Sequence, residues 1–288
     1  MKNGIKNLYL FITAMIWGFA FVAQSVAMDA IGPYTFLFSR SVLGFLFLLV
    51  LGLFTKAFKE IDYKALLKDG FICGCALYIA SILQQIGMIY TPASRAGFIT
   101  VMYIVFVPIL SIFVGKKTNI KSWFCVVLAL IGLYLLCVKG EFKLEVGDIC
   151  IIASAFMFAV HIMIIDKISV KYNVLVLSCG QYFAMSIIGL LPALFIDGMP
   201  LVSMKEAIIP ITYAGILSTG VAYTLQTAGQ KDNNPTIASL IMSLESVFAA
   251  IGGYLISHES LSSREIIGSI LIFTAIIIIQ INPRKKTD

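Results

Sequence analysis

The residues best suited to chemistry in this sequence are polar side chains that recur at a fixed separation. Glu245 lies 142 positions after Tyr103, and Gln226 lies 142 positions after Gln84. Both glutamines belong to a repeated LQxxG string. A carboxylate, a phenol and amides can bind the charged and polar groups of a small molecule, and a carboxyl group can also carry a proton. The recurrence therefore predicts a binding site to which two similar halves of the chain contribute.

A second set of residues recurs at a separation of 141. Gln181 corresponds to Arg40 in this register. One helical face of the first apolar segment carries residues spaced by three or four positions: Thr13, Trp17, Ala20, Gln24 and Ala27. The same register repeats most of this face later in the chain as Ser154, Phe158, His161 and Ile165. Because polar groups are costly inside a bilayer, paired polar positions predict a central cavity between the halves.

The elements that must position these residues are long apolar segments. The chain has 60% hydrophobic and only 12% charged residues, with a mean hydropathy of +0.98. Soluble domains carry about a quarter charged residues, so the composition excludes an ordinary soluble protein. Ten segments have about the length of a membrane-spanning helix, roughly 17–24 residues. They are approximately residues 7–27, 34–55, 70–90, 94–115, 122–138, 148–166, 173–196, 207–229, 235–257 and 265–281.

The positive charges predict how these segments are oriented. With ten spans, one side of the membrane holds both termini and 15 of the 21 Lys and Arg residues, whereas the other side holds five. The excess of positive charge predicts that both termini are cytoplasmic. Five spans in each half also require the second half to enter the membrane inverted. We therefore expect an all-α membrane protein with two inverted five-helix repeats, residues 1–140 and 141–288.

Glu245 is the clearest candidate for a functional residue inside a span. It lies near the middle of segment 9, roughly 15 Å from either end at a rise of about 1.5 Å per residue. It either binds substrate and titrates with protons or forms a static hydrogen bond to another helix. Arg40, in segment 2, can bind an anionic substrate group, pair with Glu245 or extend its side chain to the lipid headgroups.

The other candidates also have two interpretations. They either line a substrate site or hold helices together, and His161 can in addition relay protons. These candidates are Trp17, Gln24, Gln84, Tyr103, His161 and Gln226. No metal-binding, phosphate-binding or nucleophile motif is found, and the six cysteines form no disulfide or zinc pattern. We expect no cofactor, no metal and no enzymatic activity. The connector Lys56–Asp69 is expected to form a short amphipathic helix in the membrane interface.

Several short motifs in this order resemble a known transporter family. They are Trp17-Gly18 with Phe21-Val22, Pro33 with Arg40, the two LQxxG strings, the stretch from Tyr90 to Thr100, and Leu244-Glu245 with Val247-Phe248. Together they resemble the EamA-like branch of the drug/metabolite transporter superfamily over residues 7–281. The chain departs from the family pattern at Ser246, where proline is usual, and at Gly115-Lys116 and His258-Glu259, where glycine-glutamate pairs are usual. The resemblance implies a central cavity formed mainly by segments 1, 3, 4, 6, 8 and 9, and transport by alternating access.

The sequence thus predicts a secondary transporter of the cytoplasmic membrane that exports a small metabolite. A carboxylate, a guanidinium, amides and aromatic rings suit a zwitterion such as an amino acid, with protons as a possible coupling ion. The expected partners are this substrate and the lipid bilayer, and no nucleic acid. One alternative is a channel or facilitative pore, and another is a nucleotide-sugar or drug/cation antiporter of the same fold.

Overall fold

The chain folds into helices that correspond to the ten predicted segments. The computed structural model describes residues 3–59, 61–91, 93–116, 118–138, 145–256 and 262–280, and all regular elements within these ranges are helical. The predicted ends of segments 9 and 10, at residues 257 and 281, lie outside the described residues. The helices are α1 (Asn3–Met28), α2 (Pro33–Phe54), α3 (Tyr63–Tyr90), α4a (Ala93–Val101), α4b (Tyr103–Phe113), α5 (Ile120–Cys137), α6 (Val146–Ile168), α7 (Val174–Phe195), α8 (Ile208–Gln230), α9a (Pro235–Met242), α9b (Glu245–Ile256) and α10 (Ser263–Gln280). A short helix, Leu201–Glu206, precedes α8.

The distribution of polar and apolar side chains is that of a membrane protein. Nine helical segments in the described ranges are long and apolar enough to cross a bilayer, and Ile120–Leu136 is a slightly shorter apolar helix. Large apolar side chains cover the outside, as illustrated by Phe54 and Phe113, which are more than 80% exposed. Polar side chains such as Gln85 and Gln181 are fully buried. An apolar outside and buried polar groups are typical of helices that lie in lipid, and the protein is a multi-pass membrane protein.

Polar residues before the helices explain where several of them begin. Their side-chain oxygens accept hydrogen bonds from the first free backbone N–H groups of α3, α5, α7 and α9a: Asp62, Asn119, Asn173 and Asn234. The Asp62 cap corrects one expectation. Residues 63–69 were predicted to lie in a separate interfacial helix within Lys56–Asp69, but α3 begins at Tyr63 and includes them.

The most extensive helix packing joins the first half of the chain to the second. α3 packs on α6, α2 on α7, α5 on α10, and α1 on α8 and α9b. Glycines permit the closest of these contacts. A Cβ atom at Gly132 in α5 would lie 2.6 Å from the carbonyl oxygen of Gly268 in α10. Helices of both halves therefore surround the space at the centre of the bundle.

Segments 4 and 9 are each interrupted at equivalent positions. The backbone N–H of Met102 donates to the carbonyl of Ile99 at 3.1 Å, and that of Leu244 donates to Ile241 at 3.3 Å. Both bonds span three residues rather than four, so the helix tightens and ends before a new helix begins. Because Leu244 lies 142 positions after Met102, Tyr103 and Glu245 each occupy the first position of a second half-helix.

Candidate functional site

A narrow cavity lies at the centre of the bundle, between helices of both halves of the chain. The cavity is lined by residues of α1, α2, α3, α4, α6, α8 and α9: Trp17, Ala20, Phe21, Gln24, Arg40, Gln84, Thr100, Tyr103, Phe158, Ile162, Ser218, Tyr223, Gln226, Met242 and Glu245. Seven of the eight candidates from the sequence are among them, and His161 is not. Apart from the contribution of α2, these helices are those that the family resemblance implied.

Glu245 and Tyr103 contact each other across the cavity. The Tyr103 hydroxyl donates a hydrogen bond to Glu245 Oε1 at 3.1 Å, although the two residues are 142 positions apart. Both side chains are at least 95% buried. Glu245 also lies at the N-terminus of α9b, where the helix dipole favours negative charge. The described residues contain no cluster of three or more His, Cys, Asp or Glu side chains that could hold a metal ion.

Arg40 reaches the same cavity from α2. Its Nη1 donates to Gln24 Oε1 at 3.4 Å, and its guanidinium lies 5.6 Å from the centre of the Phe36 ring. The side chain is only 5% exposed, so it does not extend to the lipid headgroups. Within the described ranges, every ion pair involves other residues, and Arg40 has no carboxylate within 4.0 Å. Arg40 and Glu245 therefore line one cavity without pairing with each other.

The glutamines of the two LQxxG strings both line the cavity but differ in their contacts. Gln84 Nε2 donates to Thr100 Oγ1 at 2.9 Å. The Gln226 amide is 2% exposed, and its carbonyl oxygen has no hydrogen-bond partner in the described part of the chain. Buried amides are normally paired, so this difference separates a fixed glutamine from one that is available to a ligand.

An aromatic wall is formed where α1 meets α8. The Trp17 indole N–H donates to the carbonyl of Ser218 at 3.3 Å, and the indole ring lies 4.5 Å from the ring of Tyr223. Ser218 belongs to a π-helical stretch of ten residues, Tyr213–Ala222. Such stretches are rare and are frequent at functional sites, because their wider turns rearrange backbone carbonyls. Here a rearranged carbonyl fixes the indole that forms one side of the cavity.

His161 lies behind this wall rather than in the cavity. Its Nε2 donates to Gln181 Oε1 at 3.1 Å, and its ring centre is 6.2 Å from that of Tyr223. The side chain is 1% exposed. The structure thus pairs His161 with the residue that corresponds in sequence to Arg40, outside the cavity lining.

Several lining residues were missed in the sequence, and a simple signal could have found three of them. Tyr223, Thr100 and Met242 lie three positions before Gln226, Tyr103 and Glu245, respectively. Residues three apart share a helical face, so a search from the predicted residues along each helix would have included all three. Ser218 carries no comparable signal, since the π-helical stretch alters the facing of nearby positions.

Polar contacts join the two halves at both ends of the bundle. At one end Lys171 pairs with Asp69 at 3.1 Å, Lys116 pairs with Asp166, and Tyr172 donates to Asp69 at 3.0 Å. Partial burial and this hydrogen bond raise the pKa of Tyr172 to about 12, so its hydroxyl remains a donor at neutral pH.

The other end of the bundle is joined by a different set of contacts. Arg95 pairs with Asp148, and Asp197 Oδ2 accepts a hydrogen bond from the backbone N–H of Thr35 at 2.7 Å. The cavity therefore lies between two layers of contacts that connect the halves.

Comparison with known proteins identifies the family. The sequence profile of the EamA-like transporter family matches residues 4–138 and again residues 145–281. The chain belongs to this family. An uncharacterized transporter of Archaeoglobus fulgidus is 32% identical over 287 residues, which cover 97% of this chain and 88% of the relative. The uncharacterized transporter YoaV of Bacillus subtilis is 23% identical and covers 90% of both chains.

A solved crystal structure has the same fold as this EamA-like protein. It covers 96% of both chains with a TM-score of 0.80 at 15% sequence identity. The predicted family and the all-helical class are thus confirmed, and the protein is a membrane transporter whose family has two repeats.

Proposed function

We propose that the protein is a secondary active transporter that exports a small zwitterion, such as an amino acid, across the cytoplasmic membrane. The observation that carries this proposal is the placement of Arg40 and Glu245 on one cavity without an ion pair between them. Isolated buried charges are costly, and opposite charges that can move together normally do so. A substrate with a carboxylate and an ammonium group satisfies both at once.

The remaining cavity groups suit the body of such a substrate. The rings of Trp17 and Tyr223 offer an apolar and polarisable surface, and Phe158 adds to it from α6. Apolar pockets with a few convergent polar groups are the usual form of small-molecule sites. The carboxylate binds at the end formed by Arg40 and Gln24, and the ammonium group binds at Glu245 and Tyr103.

Transport proceeds by alternating access between two inverted repeats, residues 1–140 and 141–288, with both termini in the cytoplasm. The distribution of Lys and Arg supports this orientation, and the matching interruptions before Tyr103 and Glu245 support the repeat. Contacts between the halves at the two ends of the bundle, such as Lys171–Asp69 and Arg95–Asp148, break and form in turn. The central residues remain in place while access changes sides.

Glu245 couples transport to protons in this proposal. A proton on the carboxyl group removes the charge that holds the ammonium group, so proton and substrate compete for one site. The other titratable or charged groups on the cavity are Arg40, Tyr103 and Tyr223. Tyr103 contacts the carboxylate directly by donating a hydrogen bond to it.

The test is counterflow in proteoliposomes that contain the purified full-length protein. Vesicles loaded with an unlabelled amino acid should accumulate the labelled amino acid transiently, with saturation and trans-stimulation. Leu53→Ala, a change at a side chain that is 62% exposed, controls for expression and insertion. A conductance without trans-stimulation would indicate a pore, and exchange of a nucleotide sugar or an organic cation, but of no amino acid, would reject the zwitterion.

A further inference from the structure

Gln226 makes no side-chain hydrogen bond in the described residues, at a position where the other half of the chain has a glutamine that makes one. Gln84 is fixed through its amide nitrogen, which donates to the Thr100 hydroxyl at 2.9 Å. Thr100 lies 16 positions after Gln84, and the residue 16 positions after Gln226 is Met242. Met242 is fully buried and also lines the cavity. The thioether is a poor hydrogen-bond partner, so the local bond that fixes the first glutamine has no counterpart at the second.

A buried amide without a hydrogen-bond partner lowers the stability of the folded protein. Gln85 and Gln230 also have unpaired amide atoms in the described part of the chain, but neither residue lines the cavity. Gln226 is 2% exposed and faces the cavity, with no partner for its carbonyl oxygen among the residues that the structure describes. The other polar groups on the cavity, such as Trp17 and Tyr103, donate elsewhere or lie beyond hydrogen-bond distance of this oxygen. A ligand in the cavity can supply the missing donor.

We propose that Gln226 determines substrate specificity by binding an uncharged amide or hydroxyl group of the substrate. The inference rests on the proposed function of the cavity and goes beyond it, because Arg40 and Glu245 account only for the two charged groups. A side-chain amide both donates and accepts, so its best complement is a second amide or a hydroxyl group. The substrate class is thus a zwitterion with a polar, uncharged side chain.

The first test needs no substrate and measures thermal unfolding. Gln226→Leu removes an unpaired amide while keeping a similar volume, and we expect the melting temperature to rise by a few degrees. Gln84→Leu is the matched change in the other half. It leaves Thr100 without its partner, so the melting temperature should fall. A lower melting temperature for Gln226→Leu would show that Gln226 is a structural residue and would overturn the proposal.

The second test measures discrimination in counterflow. Unlabelled L-glutamine should compete with labelled L-glutamine about tenfold better than L-norleucine, which has a similar length and no polar group, because one hydrogen bond distinguishes them. Gln226→Leu should bring the two competitors to near equality. A Gln226→Leu variant that keeps the tenfold preference contradicts the proposal.

Met242→Thr provides an independent route to the same result. The new hydroxyl copies Thr100 and should engage Gln226, so the preference for L-glutamine should shrink. In the Gln226→Leu background the same change should have no further effect on the preference, as expected for two residues that act through one bond. Met15→Thr, at a side chain that is 37% exposed, controls for the chemical change itself.

Failure of the proposed function would be recognised separately. If wild-type protein exchanges no amino acid, the zwitterion is rejected, and the role of Gln226 is then decided with a thermal-shift panel of nucleosides, sugars and organic cations. A compound that stabilises the wild type should stabilise Gln226→Leu much less. An equal shift for both proteins would overturn the inference about Gln226.

Discussion

The two halves of the chain supply equivalent helices to the cavity but different chemistry. In the first half each cavity amide is paired, Gln24 with Arg40 and Gln84 with Thr100. In the second half the corresponding wall carries an amide, Gln226, whose carbonyl oxygen has no partner in the described residues. The comparison teaches that the shared scaffold sets where a side chain lies, whereas single substitutions at equivalent positions decide whether it is available to a ligand.

The contact between Tyr103 and Glu245 shows how the halves are related at the centre. In the proposed inverted repeat, two equivalent residues can touch each other only near the axis that relates the halves. Their bond of 3.1 Å would then lie beside that axis, at the cavity. The first half contributes a phenol, Tyr103, and the second half contributes a carboxylate, Glu245. Equivalent positions of the two halves therefore carry different chemical groups.

The largest effect is expected when the first half is made to resemble the second at Arg40. Arg40→Gln copies the equivalent residue, Gln181, and removes the charge that binds the substrate carboxylate. Counterflow efficiency should fall about 100-fold, since charge-assisted hydrogen bonds contribute about 1.5–3 kcal/mol. Arg40→Lys keeps the charge but loses the fork of donors and should be intermediate. If the counterflow efficiency of Arg40→Gln is within threefold of wild type, Arg40 does not bind the substrate.

Glu245→Gln should have the next largest effect and should also change the response to pH. We expect counterflow to weaken about 30-fold as the ammonium group loses its counter-charge. In wild type, acidification should slow exchange because protons compete with the substrate for the carboxylate. Exchange by the Glu245→Gln variant should be equally fast at pH 6 and pH 8. The comparison of the two pH profiles separates this role from a purely structural one. If Glu245→Gln keeps the wild-type pH profile, a group other than Glu245 couples transport to protons.

The sequence predicted the helices and most of the cavity residues because both follow from periodicity. Helical spacing identified the face of α1 that carries Trp17 and Gln24, and the fixed separation identified Gln84 with Gln226. The number of spans and the inversion of the repeats remain predictions.

Features that depend on contacts between helices could not be predicted in this way. Periodicity reports one helix at a time, so it gave no sign of the π-helical stretch Tyr213–Ala222 or of the bond between Tyr103 and Glu245. The extension of α3 was missed for a different reason. The Asp62 cap was present in the sequence, but the lysines after it favoured an interfacial helix.

Tyr103→Phe tests the central contact with a smaller expected effect. The change removes one hydrogen bond to Glu245 and leaves the carboxylate and the ring volume in place, so counterflow efficiency should fall about threefold to tenfold. The dependence on pH should persist, because the titrating group remains. If Tyr103→Phe abolishes that dependence, the hydroxyl itself takes part in proton transfer and the two halves share the coupling role.

The smallest effect is expected at the end of the bundle, at an ion pair between the halves that has one exposed partner. The Lys171 side chain is 55% exposed and the Asp69 side chain 13%, and in the described residues Asp69 also accepts a hydrogen bond from Tyr172. Ion pairs at exposed positions contribute about 0–1 kcal/mol, and Tyr172 still donates to Asp69 in Lys171→Ala, so the melting temperature should fall by no more than a few degrees. The half-saturating substrate concentration should not change, because Lys171 does not line the cavity. A large loss of substrate affinity in this variant would mean that the contacts at the ends of the bundle affect binding in the cavity. The separation between a cavity that binds substrate and end contacts that only control access would then be wrong.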